Sequence, residues 1–249
     1  MRPDQWQRAF LSLPKWTCPK CESGSLVPIP GFLKDHETQY SIANHTHQDF
    51  EPDWITSRFV GMLKCDIPHC GEIVTVAGDR PVVLYEDYEE ETQNWESNFQ
   101  PCFIRPAPHI IKVSKNLSDN CASHLKKAFE LYWVDKAATA NRLRIFVEQL
   151  MDQFHVPTEG KGNKKKKHKL DLSERIEEFD QIKPGHKDAL HALRIVGNFG
   201  SHEGEGETQT LLDCFEILED ALAELVDEKK AKLKVKIQSL IKSKGKPDS

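Results

Sequence analysis

Two cysteine pairs carry the plainest chemistry in this sequence: Cys18-Pro-Lys-Cys21 and Cys65-Asp-Ile-Pro-His-Cys70. Each sits in a short, polar, turn-prone stretch. Gly24 lies behind the first pair and Gly71 directly after the second. Four thiolates delivered by two tight turns are the donor set of a tetrahedral Zn²⁺, with Zn–S near ~2.3 Å and no position left for water. Cys18, Cys21, Cys65 and Cys70 are therefore expected to hold one structural zinc. His36, His45, His47 and His69 are alternative ligands, but two turn-borne pairs complete a site without them. Seven cysteines, an odd number, argue for metal over disulfides in a reducing compartment. Cys121 and Cys214 fall on apolar helical faces and read as core thiols, while Cys102 stands apart.

A second group lies near the C-terminal end. Lys187, His191, Arg194, Asn198 and His202 follow one another at intervals of four, three, four and four. On a helix they form one polar face opposite Leu190, Leu193 and Val196. Arg194 and His202 are about 12 Å apart along such an axis. Arginine can fork a phosphate, and histidine titrates near neutral pH. Arg194, Asn198 and His202 thus compose a candidate set for metal-independent RNA cleavage, with His202 as general acid or base and Arg194 on the phosphate. The plainer reading is a solvated helix face. Gly197 and Gly200 inside this helix each cost about 1 kcal/mol relative to alanine. They point to close approach by another backbone, and a second copy of the chain is one source.

The elements that position these groups divide the 249 residues in two. Phe59-Val-Gly-Met-Leu63 runs into the second cysteine turn. Ile73-Val-Thr-Val-Ala77 runs out of it and stops at Gly78, so a hairpin with the metal at its tip is expected. The 43 residues between the pairs are long for a minimal zinc ribbon and read as an elaborated loop. Residues 1–85 form this small β, zinc-ribbon-like module. Residues 86–108, acidic and then broken by Pro101, Pro106 and Pro108, read as a connector. From Ser118 the period becomes helical: Cys121, Leu125, Ala128, Phe129 and Tyr132 share one face, and Leu143, Val147, Leu150, Met151 and Phe154 share another. Asp171-Leu-Ser-Glu174 has the form of a capping box. Leu211, Phe215, Leu218, Leu222 and Leu225 mark a last core helix, with a lysine-coated tail through Ile241. Residues 109–249 are thus expected to be an all-α bundle of about five helices, and the chain as a whole is of the α+β class.

Charge and composition narrow the partners. The net charge is −5, but lysines gather at Lys161–Lys169 and Lys229–Lys246. Both stretches read as solvated, or as tracks for an RNA or DNA backbone, in which case binding weakens as salt rises. No apolar run reaches the ~20 residues that span a bilayer. The N-terminus lacks the basic and apolar segments of a signal peptide, so a cytoplasmic protein with no membrane contact is expected. There is no phosphate-cradling loop of Walker type.

At Asn141-Arg-Leu-Arg144, Val147-Glu148 and Gly197-Asn-Phe-Gly-Ser-His202 the chain resembles the bacterial domain-of-unknown-function family 4145. That family is placed in the HEPN (higher eukaryotes and prokaryotes nucleotide-binding) helical superfamily. Phe129-Glu-Leu-Tyr-Trp133, Leu172-Ser-Glu-Arg-Ile-Glu-Glu-Phe179 and Leu212-Asp-Cys-Phe-Glu-Ile-Leu-Glu219 extend the resemblance over about Pro106 to Val226. It implies a HEPN-like helical bundle that often dimerises, and a setting in prokaryotic conflict systems such as restriction or antiphage defence. Active HEPN nucleases carry an arginine, a polar residue and a histidine. Asn198 and His202 match the last two, but the expected arginine position is Gly197, and seven residues separate Arg194 from His202. The departure implies a non-catalytic binding and assembly protein, a homodimer engaging a protein or nucleic acid. A metal-independent endoribonuclease is the alternative.

Overall fold

Along Thr56–Cys65 every second residue, from Ser57 to Cys65, faces inward, so one face of this stretch is buried. It is the central strand β3, with Phe59 and Leu63 buried while Val60 and Met62 are exposed. The computed structural model describes residues 2–87, 92–161, 167–198 and 205–243. It divides into two compact units. The first comprises Met1–Ile110, Lys126–Lys136 and Gly204–Thr208; the second comprises Ile111–Leu125, Ala137–Glu203 and Gln209–Ser249.

The first unit is an antiparallel sheet. On one edge β3 pairs with β1 (Leu26–Pro28) and β2 (Lys34–Glu37); on the other it pairs with β4 (Ile73–Asp87). The β3–β4 hairpin has Phe59 opposite Gly78 and Leu63 opposite Val74, with the second cysteine turn at its tip. The expected end of the strand at Gly78 is not found: β4 continues to Asp87. Residues 92–105, read as connector, are instead strands β5 (Thr92–Ser97) and β6 (Gln100–Arg105), both paired with β4. The register shifts between Ala77 and Gly78, opposite Pro101. Proline has no ladder N–H to give, so the irregularity sits where a hydrogen bond could not form. A short helix, α1 (Gln39–Asn44), lies between β2 and β3, with the Thr38 side chain accepting from the Ser41 N–H.

The core of this unit is aromatic. Trp6, Phe10, Trp16, Phe59, Phe99, Tyr132 and Trp133 are all buried. The Trp16 and Trp133 rings lie 5.5 Å apart edge to face, and Trp6 and Tyr132 lie 6.4 Å apart in the same manner. Two polar tips are satisfied, Tyr132 Oη donating to the Trp6 carbonyl at 2.5 Å and Trp16 Nε1 to the Gln5 carbonyl at 2.8 Å, whereas Trp133 Nε1 is buried without a partner. Phe129, Tyr132 and Trp133, read from sequence as part of the helical bundle, belong to this unit.

The second unit is helical. It takes the start of α2 (Asp119–Leu131), then α3 (Lys136–Gln153, from Ala137), α4 (Leu172–Ile182), α5 (Lys187–Asn198), most of α6 (Glu205–Leu225) and α7 (Lys229–Lys242). Among the described residues six helices thus follow residue 109 where about five were expected. The apolar stripes are buried as their spacing predicts: Leu143, Val147, Leu150 and Met151 on α3, and Leu211, Phe215, Leu218, Leu222 and Leu225 on α6. The capping box on α4 is formed. The Glu174 N–H donates to Asp171 Oδ1, and the Asp171 N–H to Glu174 Oε2, each at 2.9 Å. The Gly160–Lys169 stretch, read as a loop, begins and ends as a small hairpin of β7 (Glu159–Lys161) and β8 (Lys167–Lys169). The expected tail is a separate helix. Glu228 turns left-handed at φ +51° between α6 and α7, and α7 buries none of its residues.

Candidate metal centre

The site is built by two turns held to each other. In the first, the Cys18 N–H donates to the Gly24 carbonyl at 2.8 Å and the Glu22 N–H to the Cys18 carbonyl at 3.0 Å. In the second, the Cys70 and Gly71 N–H groups both donate to the Ile67 carbonyl at 3.0 Å. Ser25 and Asp66 join the turns: the Ser25 N–H donates to Asp66 Oδ1 at 2.8 Å, and the Asp66 N–H to the Ser25 carbonyl at 2.9 Å. Lys20 reaches across to Glu72 at 3.0 Å. β1 places Leu26 opposite Cys65. Sheet pairing, not a cross-link, thus brings residues 44 apart in sequence to one point.

There the four sulfurs converge, all within 4.8 Å of one another. Cys18 Sγ and Cys70 Sγ are 3.7 Å apart, as are Cys21 Sγ and Cys65 Sγ. A tetrahedron of thiolates on bonds of ~2.3 Å has edges of about 3.8 Å, so the donor set fits a tetrahedral ion; a four-sulfur tetrahedron suits zinc or iron. Residues 9–107 match the model of a domain of unknown function, DUF8608. That match spans all four cysteines and strands β1–β6. Residues 126–243 match a second one, DUF4145. No curated protein and no solved structure matches the chain.

Three of the thiols are shifted, and not in the same direction. Burial raises the Cys18 thiol and pushes that of Cys65 up to about 12. Cys21 is lowered to about 6, first by the Ser23 N–H and then by that of Gly24, whose nitrogen lies 3.3 Å from the sulfur. None of the seven cysteines is in a disulfide. His36, His45, His47 and His69 are not part of the four-sulfur group. His45 is held by Glu37 at 2.6 Å, His47 Nδ1 accepts from the Asp49 N–H, and His69 is exposed.

The glycines act differently from one another. Gly71 is left-handed at φ +56°, as the turn requires. In the first turn the equivalent residue, the one after the second cysteine, is Glu22 at φ +54°. A non-glycine residue there costs roughly 1–2 kcal/mol; the Glu22 carboxylate is anchored on His109 Nδ1 at 3.1 Å. Gly24 is required by a close approach: a Cβ there would stand 2.5 Å from Cys65 Sγ.

Arg194, Asn198 and His202, the candidate cleavage set, are only partly within view. His202 lies outside the described residues, as does the Asn198 side chain. Arg194 Nε donates to His191 Nδ1 at 3.3 Å. The other ring nitrogen of His191 is 3.2 Å from Glu177 Oε1, and Lys187 Nζ is 2.5 Å from Glu177 Oε2. The partners dictate the tautomer, with Nε2–H donating to Glu177. Lys187, by its hydrogen bond, and then His191 hold the Glu177 carboxyl below its usual range. Glu177 was not read from the sequence as part of the stripe, although it lies ten residues before Lys187 across the Pro184-Gly185 turn. Cys121 and Cys214 are buried, which raises both thiols, that of Cys214 to about 11. Cys102 is exposed on β6.

Gly197 has its close neighbour inside the same unit. A Cβ there would meet Arg144 Cβ at 2.5 Å and the Ala140 carbonyl at 2.9 Å, so α5 crosses α3 at this point. The approach expected of this glycine is intramolecular and carries no argument for a second copy. In Gly197→Ala the gain in helix propensity, about 1 kcal/mol, is outweighed, because Arg144 Cβ is fixed to the backbone and cannot swing away. A net loss of about 1–2 kcal/mol is expected in urea unfolding; an unchanged midpoint would show that the helices separate at no cost.

Proposed function

We propose that this protein is a non-catalytic binding and assembly protein: a zinc-stapled β module followed by a HEPN-like helical bundle, serving as an accessory or sensor component in a prokaryotic defence or restriction setting. One observation carries the reading: the four thiols converge on one another, and on α5 the described polar groups Lys187, His191 and Arg194 are bonded to Glu177 or to each other. Four thiolates around one ion leave it no open position, so the ion is a staple. Zinc is the ion favoured by the donor set, having no redox chemistry of its own to manage. On α5, both ring nitrogens of His191 are engaged and Lys187 is paired with Glu177. The departure of Arg194 from the spacing of active HEPN nucleases supports the same reading, as do the free cysteines, which suit a reducing cytoplasm. A homodimer through the helical unit is part of the proposal.

Incubation of the purified full-length protein with total RNA, with and without Mg²⁺, is expected to leave the RNA intact. Fragments that appear with the parent protein and drop by about 10²–10⁴-fold in His202→Ala would establish general acid–base cleavage instead. In that case Arg194→Ala would lower the rate as well.

A further inference from the structure

A second site lies in the helical unit, remote in sequence from the cysteines. A cleft of 680 Å³ is lined by Lys112, Lys115, Lys229, Lys232 and Lys236. The last three follow at intervals of three and four on α7, so they share one face over about 10 Å of helix. Lys112 and Lys115 come from the segment before α2, and that wall is built rather than loose. Ser114 Oγ donates to Asp227 Oδ1 at 2.5 Å, Asn116 Nδ2 donates to the same oxygen at 3.2 Å, and the Lys112 N–H to Glu219 Oε1 at 3.4 Å. Asp227 is the one acidic residue lining the cleft, and its carboxylate is taken up by these bonds. Among the described residues none of the five lysines is in an ion pair. α7 also starts without a side-chain cap, so no side chain bonds its first free N–H groups beside Lys229. Five like charges around one cleft repel one another, and a polyanion would relieve that repulsion.

We propose that this cleft binds the phosphate backbone of a double-stranded nucleic acid without reading its bases. The inference rests on the non-catalytic reading above and supplies its ligand. The lining has no aromatic ring, hence no platform on which unpaired bases could stack. A lipid surface fits less well: the exposed Leu233, Ile237, Leu240 and Ile241 form one stripe of α7, but the equally exposed Val235 lies on the opposite side, so the helix has no single apolar face.

The test is fluorescence anisotropy of the full chain with labelled DNA and RNA duplexes, the matching single strands, and anionic phosphatidylserine vesicles as competitor. Duplexes of unrelated sequence are expected to bind alike and more tightly than single strands. If each lysine neutralises one phosphate, affinity falls about 500-fold between 50 and 200 mM salt. The triple variant Lys115→Ala, Lys232→Ala, Lys236→Ala should bind more weakly and retain only a roughly 12-fold salt effect. These side chains are solvent-facing, so its melting temperature should match the parent. Lys234→Ala with Lys242→Ala, outside the cleft, should leave the salt effect as it was. A triple variant that binds like the parent, a clear preference for vesicles, or no binding at all would each overturn the cleft assignment. The DNA and RNA arms say which backbone is preferred. Intact but unbound nucleic acid sinks this inference alone, whereas degraded RNA in the same mixture sinks the non-catalytic reading.

Discussion

Cys65→Ser is expected to empty the metal site and to destabilise the β unit by more than ~4 kcal/mol, because losing a structural ion removes folding free energy outright. Elemental analysis should fall from about one ion per chain to a small fraction, and near-UV circular dichroism from the tryptophans of this unit should change with it. Metal binding should also depend on pH, with a sign set by the thiols. Without the ion, Cys65 holds its proton up to about 12 and Cys18 is raised in the same direction, both by burial. Cys21, lowered to about 6 by backbone N–H groups, is already a thiolate at neutral pH. Binding near pH 7 must therefore displace protons from at least Cys18 and Cys65. Affinity should rise with pH by about a hundredfold per unit for two displaced protons, and the dependence should steepen below pH 6, where Cys21 also competes. Calorimetry in buffers of different ionisation heat measures the proton count. Metal-free Cys65→Ser with parental stability would show that the four sulfurs do not hold a structural ion.

Gly78→Ala should be nearly as damaging, for a reason independent of metal. A Cβ at this position would stand 2.1 Å from the Gln100 carbonyl oxygen and 2.8 Å from Pro101 Cα. Both neighbours are backbone, so no rotamer change relieves the contact; β6 must move away from β4. Overpacking of this kind costs about 3 kcal/mol, enough to lower the melting temperature of a unit this size by roughly 10 °C or more. Metal content should stay at the parental value, since Cys65 ends β3 and Cys70 sits in the turn at the hairpin tip. A parental melting temperature would mean that the irregularity at Ala77 and Gly78 absorbs the extra carbon freely.

The two predictions differ in how far they could be read from residues alone. The cysteine pairs, the hairpin that carries the second pair, the capping box at Asp171 and Glu174, and the apolar stripes of α3 and α6 are all legible in sequence. Each is local: a turn, a period of two, a period of 3.6, or a reciprocal pair three residues apart. Where reading by local pattern went astray, a distant partner was responsible. Gly78 looks like the end of a strand, as a glycine often is, until β6 is placed beside it. Residues 92–105 look like a connector because proline and acid dominate, yet edge pairing with β4 tolerates both.

Sequence by itself determined which four thiols make up the candidate metal site, because thiols at knuckle spacing have few other uses. It also determined that a β module precedes helices. Tertiary structure alone decided that the sulfurs close to 3.7 Å, that Glu22 rather than Gly24 takes the left-handed turn, and that Gly197 accommodates α3. It decided too that Glu177 occupies His191 and that five lysines from two segments share one cleft. The physical reason is the same in each case. These outcomes depend on distances between residues far apart along the chain, and only the packing of sheets and helices sets those distances.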